Sequence, residues 1–437
     1  MPRKKRHGRL EVLTQGVRIG TLTRASTGTY EFSYSDEWLA SKVSFPVSWS
    51  LQLRAGAFRG ETVAAFFDNL LPDNDAIRDR IAQRFATPGK GTLDLLAAIG
   101  RDCVGALQFV PEGEKVGNAN LIETEPLSER EIGEILRNLK VSPLGLDREK
   151  AFRISLAGAQ EKTALLRWRG QWHRPLGPTP TSHILKPSMG ALPNGIDMKE
   201  SVANEWLCLK LCEHLGLPVA QADIAEFDGR ECLVVERFDR AWSSDKRSLR
   251  RIHQEDMCQA LGVPWSRKYQ SDGGPGIIQI MEFLNGSDFP APDRRQFIRS
   301  QLVFWLLGAI DGHAKNFSIR LSQTGFRLTP IYDVMSILPA LAKRQLEPKE
   351  AKLAMSAGNN RHYRLRELRR RHWEQTAKAA SFPLPDLHAL LDDLGSRVEK
   401  LDSVLGPLAK QAPASVLNAI TAGVRKNMKL LGTVPSG

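Results

Sequence analysis

Apolar residues alternate with polar ones at Leu10, Val12 and Thr14. The pattern turns at Gln15-Gly16 and resumes through Val17, Ile19 and Leu22, which predicts two strands joined by a tight turn. Tyr30, Phe32 and Tyr34 alternate again. From Thr62 to about Ala86 the period lengthens to a helical one, broken at Pro72-Asp73, and Leu93 to Ile99 makes another short helix. These elements predict a small α+β domain over about 8–112. Residues 113–150 are charged, carry one helix from Ser128 to Leu139, and read as a connector.

Residues 151–240 form a β-rich segment. Strands are expected at Phe152–Ser155, Thr163–Trp168 and His183–Lys186. Asp197-Met198-Lys199-Glu200 is a capping-box pattern that should open a helix, with Val202, Trp206 and Leu209 on one face and Gly216 and Pro218 ending it. Asp223–Phe227 and Cys232–Phe238 pair around Asp228-Gly229. Over 241–430 the chain is mainly helical, with helices at about 276–285, 293–310, 371–380 and 385–403. The exception is a hairpin, Phe317–Leu321 with Phe326–Thr329. This order predicts an α+β, protein-kinase-like bilobal fold: a β-rich N-lobe and an all-helical C-lobe, preceded by the small α+β domain.

Composition narrows the setting. The chain has room for two or three domains. No run of about 18 apolar residues predicts a membrane span, no apolar signal core follows the basic start Pro2 to His7, and a cytoplasmic protein is the default. The five cysteines are odd in number and scattered, which argues against a disulfide scaffold. Cys208 and Cys212 with His214 nearby suggest a metal site, but two small apolar residues in a core helix is the favoured reading. The formal charge of +12 points to an acidic partner, nucleic acid or protein. Basic residues cluster at Arg3–Arg6, at Lys246-Arg247 with Arg250-Arg251, and at 361–371, where a solvated helix face is the simpler explanation.

The chemistry concentrates in Asp311-Gly312-His313-Ala314-Lys315-Asn316 and Tyr332-Asp333. An Asp, an Asn five residues on, and a second Asp beyond a hairpin match the spacing of a kinase catalytic loop and its metal ligand. Asp311, at the end of an apolar helical run, would accept a hydroxyl proton. Asn316 and Asp333 supply oxygen ligands suited to Mg2+. A transition-metal site of Asp311, His313 and Asp333 is the competing reading. Lys186 ends an apolar strand, where a Lys would touch the α/β-phosphates of ATP, with Glu205 as its helical partner. Glu236 and Phe238 fall where a hinge offers backbone groups to adenine. The loop Ser155 to Lys162 would cover the phosphates. With one glycine it fails as a G-x-G-x-x-G motif or P-loop, and a phosphate added at Ser155 should eject it. The glycine motif Ser271–Gly276 reads as a turn before a helix.

Those residues carry a resemblance. The stretch Ile154–Leu166, Val235-Glu236-Arg237-Phe238-Asp239-Arg240, Gln254–Gln259, Asp311–Ser318, Tyr332-Asp333 and, earlier, Phe66–Asp73 resemble the HipA serine/threonine kinase toxins from about residue 8 to about 430. The resemblance implies the toxin of a type II toxin–antitoxin pair, an ATP- and Mg2+-dependent kinase that phosphorylates a translation component, an aminoacyl-tRNA synthetase in the family's best-known form. It implies a HipB-like helix-turn-helix antitoxin, operator DNA bound within that complex, and inactivation by autophosphorylation of Ser155. Asp311 matches the catalytic base and Asn316 and Asp333 the metal ligands. The nucleotide contacts it implies are Ala157, Gly158, Ala159, Gln160, Glu161, Lys162, Lys186, Glu236, Phe238, His313, Lys315, Asn316 and Tyr332. Leu156 departs from the pattern, standing where a smaller Val is expected. The basic start Pro2–His7 is longer than usual and suggests an extra DNA or antitoxin contact. A small-molecule kinase on the same fold and a catalytically silent co-repressor subunit remain as alternatives.

Overall fold

The computed structural model describes residues 8–114, 117–119, 121–146, 152–192 and 195–432. The basic start Pro2–His7, with its expected DNA or antitoxin contact, lies outside the described residues. The fold is α+β, and the chain divides into two compact units that interleave along the sequence. The first takes residues 1–187, 225–266 and 318–325, the second 188–224, 267–317 and 326–437.

The first unit begins with a five-stranded antiparallel sheet, in spatial order 57–59, 30–34, 17–24, 9–14, 107–111. Leu10, Val12, Leu22 and Phe32, on the alternating positions, are buried with Phe66, Phe67, Leu96 and Phe109 from the helices and the last strand. Ile154 and Leu156 join this core. That explains the larger residue at Leu156: its side chain fills core volume. It also corrects the strand expected at Phe152–Ser155, where there is only an isolated parallel bridge from Ile154 to Asp102.

A second sheet follows the order 222–227, 230–236, 183–187, 163–168, 171–175, 124–126. The stretch expected as a connector therefore carries its edge strand and a helix, Glu129–Arg137, opened by a capping box between Ser128 and Glu131. Ile132, Leu136 and Leu139 pack there with Leu165, Leu185 and Cys232. The hairpin 222–227/230–236 turns at Asp228 and Gly229, both with positive φ, the backbone that an Asp-Gly turn favours.

Two polar centres are buried in this unit. In one, Asp102 accepts hydrogen bonds from Thr181 N (3.0 Å) and Thr181 Oγ1 (2.7 Å), and from Arg240 Nη2 and Arg251 Nε (2.9 Å each). Arg237 lies 3.4 Å away and forks onto Asp239 through Nε (2.9 Å) and Nη2 (2.7 Å). In the other, Glu255 accepts from Ser48 Oγ (2.6 Å) and Trp49 N (2.7 Å). Burial pushes the Glu255 carboxyl up to about 8, against the pull of those two donors. A carboxyl whose folded pKa is raised favours folding most when protonated. Its contribution is complete below the unfolded value of about 4.3 and is lost as pH rises toward 8. Glu255→Gln should remove that loss, on the order of a few kcal/mol. Urea-unfolding midpoints between pH 5 and 8.5 check it, and a variant profile parallel to wild type would contradict it.

The second unit packs around the helix Pro290–Leu307. Trp305 is fully buried, meets Trp373 at 6.1 Å, and donates from Nε1 to Leu365 O (3.0 Å). Further helices run over 370–379, 384–399, 402–408 and 414–429. Two local expectations change. Asp197 does not open a helix. It sits in a two-residue ribbon paired with Gly190–Ala191, and the helix begins at Ser201 and runs to His214. The half expected to be all-helical also carries an antiparallel ribbon, Lys352–Ala357 with His362–Arg364. Five consecutive buried residues, Leu353–Ala357, erase the alternation that marks a strand.

All five cysteines are buried and none is in a disulfide. Cys208 Sγ meets Asn204 Oδ1 (3.4 Å) and the His214 ring bonds Arg397 O, so the pair belongs to the helix core. The basic run 361–371 is partly neutralised on its own surface, Arg364 by Glu367 and Arg370 by Glu374 (3.0 Å each). Among the described residues no helix is long and apolar enough to cross a membrane.

Candidate functional site

The second unit holds Asp311, His313, Lys315, Asn316, Tyr332 and Asp333. The long apolar helix stops earlier than its hydrophobic run suggests, because Gly308 takes a left-handed conformation (φ 63°) and caps it. Asp311 therefore lies in the loop beyond, exposed to solvent, rather than on the helix end. Gly312 is required there by close approach: a Cβ would sit 2.4 Å from the Phe304 ring. That contact seats the loop against the helix. Ile310 O accepts from Ala354 N (2.9 Å), and His313 N donates to Asp311 O (2.8 Å), turning the chain into the short 3-10 segment Ala314–Asn316.

Asn316 ties the pieces together. Its buried amide nitrogen donates to Asp311 O (2.9 Å) and to Asp333 O (3.2 Å). The catalytic-loop and metal-ligand candidates are thus held by one side chain. With its N–H groups directed at two carbonyls, the carboxamide oxygen faces elsewhere. Tyr332 Oη donates to Lys315 O (2.8 Å), a second tie between the same segments. Asp333 has a positive φ of 59°, uncommon outside glycine and a conformation that clusters at functional positions.

Two hard oxygen donors, the Asn316 carboxamide and the Asp333 carboxylate, fit magnesium, which keeps waters and phosphate oxygens for its remaining positions. Among the described residues no group of three or more His, Cys, Asp or Glu could hold a metal, so the transition-metal alternative at His313 lacks a donor set. His313 instead packs its buried ring edge-on to Tyr269, with centroids 5.0 Å apart. Tyr269 was not legible as functional: it precedes a glycine-rich stretch that reads as a turn. Yet its hydroxyl donates to Asp311 Oδ1 at 2.6 Å.

The first unit holds the remaining candidates. Lys186 is buried on the strand 183–187, opposite Leu233 of the neighbouring strand, and Glu236 pairs with His183 at the far end of that ladder. Gln160 Nε2 donates to Pro187 O (3.3 Å), which brings the loop Ala157–Lys162 to the Lys186 strand. Glu161 pairs with Arg80. The buried Lys162 folds back over the loop, its Nζ so near Gly158 that a Cβ there would stand 2.6 Å away. Gly158 O accepts from Asp73 N (3.1 Å).

Ser155, expected to begin the phosphate-covering loop, is fully buried, with Oγ donating to Leu70 O (2.8 Å) and its N–H to Asp102 O (2.9 Å). Arg237 points inward to the Asp102 centre between exposed Glu236 and half-buried Phe238, so the fully buried ion network sets the course of that segment. Glu205 is buried at the fifth position of the helix Ser201–His214 in the second unit.

A family model described as the HipA-like C-terminal domain matches residues 154–401, and one described as the HipA N-terminal domain matches residues 10–110. The chain is 36% identical over 380 residues to the putative kinase Y4mE of Sinorhizobium fredii, covering 86% of each sequence. It is 29% identical over 341 residues to the serine/threonine-protein kinase toxin HipA of Shewanella oneidensis, covering 75% of each. A solved complex of HipA, HipB and operator DNA from Shewanella oneidensis MR-1 matches in fold, with a TM-score of 0.80 at 23% identity over 97% of both chains.

Proposed function

The chain belongs to the HipA family of serine/threonine-protein kinases, and from that premise we propose that it is the toxin of a type II toxin–antitoxin pair. In this reading it uses ATP and magnesium to phosphorylate a protein of the translation machinery, an aminoacyl-tRNA synthetase being the favoured class, and so arrests growth. A HipB-like antitoxin binds it, and the complex occupies operator DNA. The fold likeness to a HipA–HipB–operator assembly agrees with that partnership. The observation that carries the catalytic part is the Asn316 amide bound at once to Asp311 O and Asp333 O.

The chemistry assigned is a single displacement. The substrate hydroxyl gives its proton to the Asp311 carboxylate, its oxygen bonds to the γ-phosphorus, and the bond to the β-phosphate bridging oxygen breaks, releasing ADP. Asn316 and Asp333 would hold magnesium, which when bound neutralises charge on the phosphate oxygens. Lys186 would hold the α/β-phosphates, and the backbone around Glu236 and Phe238 the adenine. His313 and Lys315 would lie within the nucleotide's reach, and Tyr332 would keep Lys315 in place.

Two measurements test this. Phosphoproteomics of cells expressing the chain should show one or a few dominant protein targets absent with Asp311→Ala. Transfer only to sugars or antibiotics in a purified assay would favour a small-molecule kinase, and no magnesium-dependent ATP binding would favour a silent co-repressor. Separately, Ser155→Ala should abolish the self-phosphorylated form seen by intact-mass spectrometry and prolong toxicity. Persistence of the phosphorylated mass in the variant would reject Ser155 as the acceptor.

A further inference from the structure

The reaction assigned above needs one Asp311 oxygen kept available to a hydroxyl, and Asp311 is exposed at the start of a loop whose next five residues, 312–316, are buried. We propose that Tyr269 is a positioning residue for this step, holding Oδ1 of Asp311 so that Oδ2 is presented to the protein substrate. The inference rests on Asp311 being the base.

The geometry supports it from three sides. The phenol donates to Oδ1 at 2.6 Å, the length of a charge-assisted O–H···O bond. A carboxylate accepts at both oxygens, so occupying one fixes the rotation of the group without consuming the other.

The phenol is itself fixed. Its ring meets the His313 ring edge-on, and the neighbouring Lys268 O accepts from Ala314 N (3.2 Å), so residues 268–269 are attached to the loop they serve. On the opposite flank Gln270 Oε1 accepts from Ser356 N (2.7 Å) and Ser356 Oγ (3.0 Å).

The glycine-rich stretch then acquires a purpose. Gly274 N returns to Tyr269 O (3.0 Å), and a Cβ at Gly274 would fall 1.9 Å from Arg267 O. Only glycine allows the chain to fold this tightly onto the residues that present Tyr269. The turn before the helix is therefore a bracket for the phenol.

During transfer the proton of the substrate hydroxyl moves to Asp311 Oδ2, while the phenol keeps its own proton and its bond to Oδ1. Nothing is oxidised or reduced, and ADP leaves with the electron pair of the broken P–O bond.

The test is Tyr269→Phe in the full-length chain, assayed with radiolabelled ATP and dephosphorylated lysate protein as acceptor, beside wild type and Asp311→Ala. The expected result is a fall in kcat on the order of ten- to a hundred-fold, consistent with loss of one hydrogen bond to a charged group. KM for ATP, binding of a fluorescent ATP analogue and the melting temperature should stay at wild-type values. That split separates positioning from a structural role, which would move all of them. An unchanged kcat overturns the inference, and so does a raised one, which would make the phenol a block on the base. If Asp311→Ala transfers as well as wild type, Asp311 is not the base and the inference falls with that assignment; if wild type transfers nothing, the kinase reading itself falls.

Discussion

Asp311→Ala should abolish growth arrest and reduce phosphate transfer by about 10²–10⁴-fold or more, while ATP binding survives. The direction follows from position. Asp311 is exposed on a loop whose backbone is held by Asn316 and by Ala354 through neighbouring carbonyls, so removing the carboxylate leaves those bonds in place. None of the nucleotide contacts proposed for Lys186, Glu236 or Phe238 involves it. Induction in cells reads toxicity, and equilibrium binding of an ATP analogue reads the nucleotide. An Asp311→Ala chain that still arrests growth would remove Asp311 as the base, and one that no longer binds ATP would make its role structural.

The largest stability effect should come from a residue with no part in the chemistry. Asp102 sits among Arg237, Arg240 and Arg251, all fully buried. Burial alone would raise its carboxyl, but the three guanidiniums and the Thr181 N–H outweigh that and hold it well below the usual carboxylate range. Asp102→Ala leaves Arg237 and Arg240 to share Asp239 and takes from Arg251 the carboxylate it pairs with. Breaking a buried pair in this way costs about 3–5 kcal/mol, a large share of the stability of a typical domain, about 5–15 kcal/mol.

The pH sign is opposite to that of Glu255. A depressed carboxyl stabilises above its unfolded value near 3.9 and loses that contribution as pH falls through the folded one. Urea unfolding at pH 7 should therefore show Asp102→Ala far less stable than wild type, with the gap narrowing in acid. A variant within about 1 kcal/mol of wild type would mean that the cluster relaxes or takes up water. The effect also bears on function, since Arg237 lies within the segment proposed to meet adenine and Arg240 just beyond it.

What the sequence made readable had short range and strong period. The alternating strands of the first sheet, the Asp228-Gly229 hairpin and the spacing of Asp311, Asn316 and Asp333 are each fixed by local rules. The errors share a physical origin in tertiary context. Residues 197–200 satisfy a capping pattern, yet Asp197 Oδ1 accepts from Lys199 N and the segment pairs as a ribbon. The run through Ile310 is apolar enough for a helix, but Gly308 ends it with Leu338 standing where any Cβ would be. Tyr269 could not be singled out because its partner Asp311 is 42 residues away, and only the folded chain makes them neighbours. The same holds for Ser155, whose burial depends on Leu70 and Asp102.

The interleaving of the two units carries a consequence for biosynthesis. The strand bearing Lys186 belongs to the first unit, but its neighbour at 230–236 emerges from the ribosome only after the helix at 201–214, which belongs to the second. At about 5–20 residues per second that strand waits some seconds with an open edge. Its apolar row is then a template for pairing with other nascent chains. A chain cut short in that interval should be insoluble rather than toxic, because Asp311, Asn316 and Asp333 have not yet been made. The schedule of translation itself delays the appearance of a competent kinase until most of the polypeptide exists.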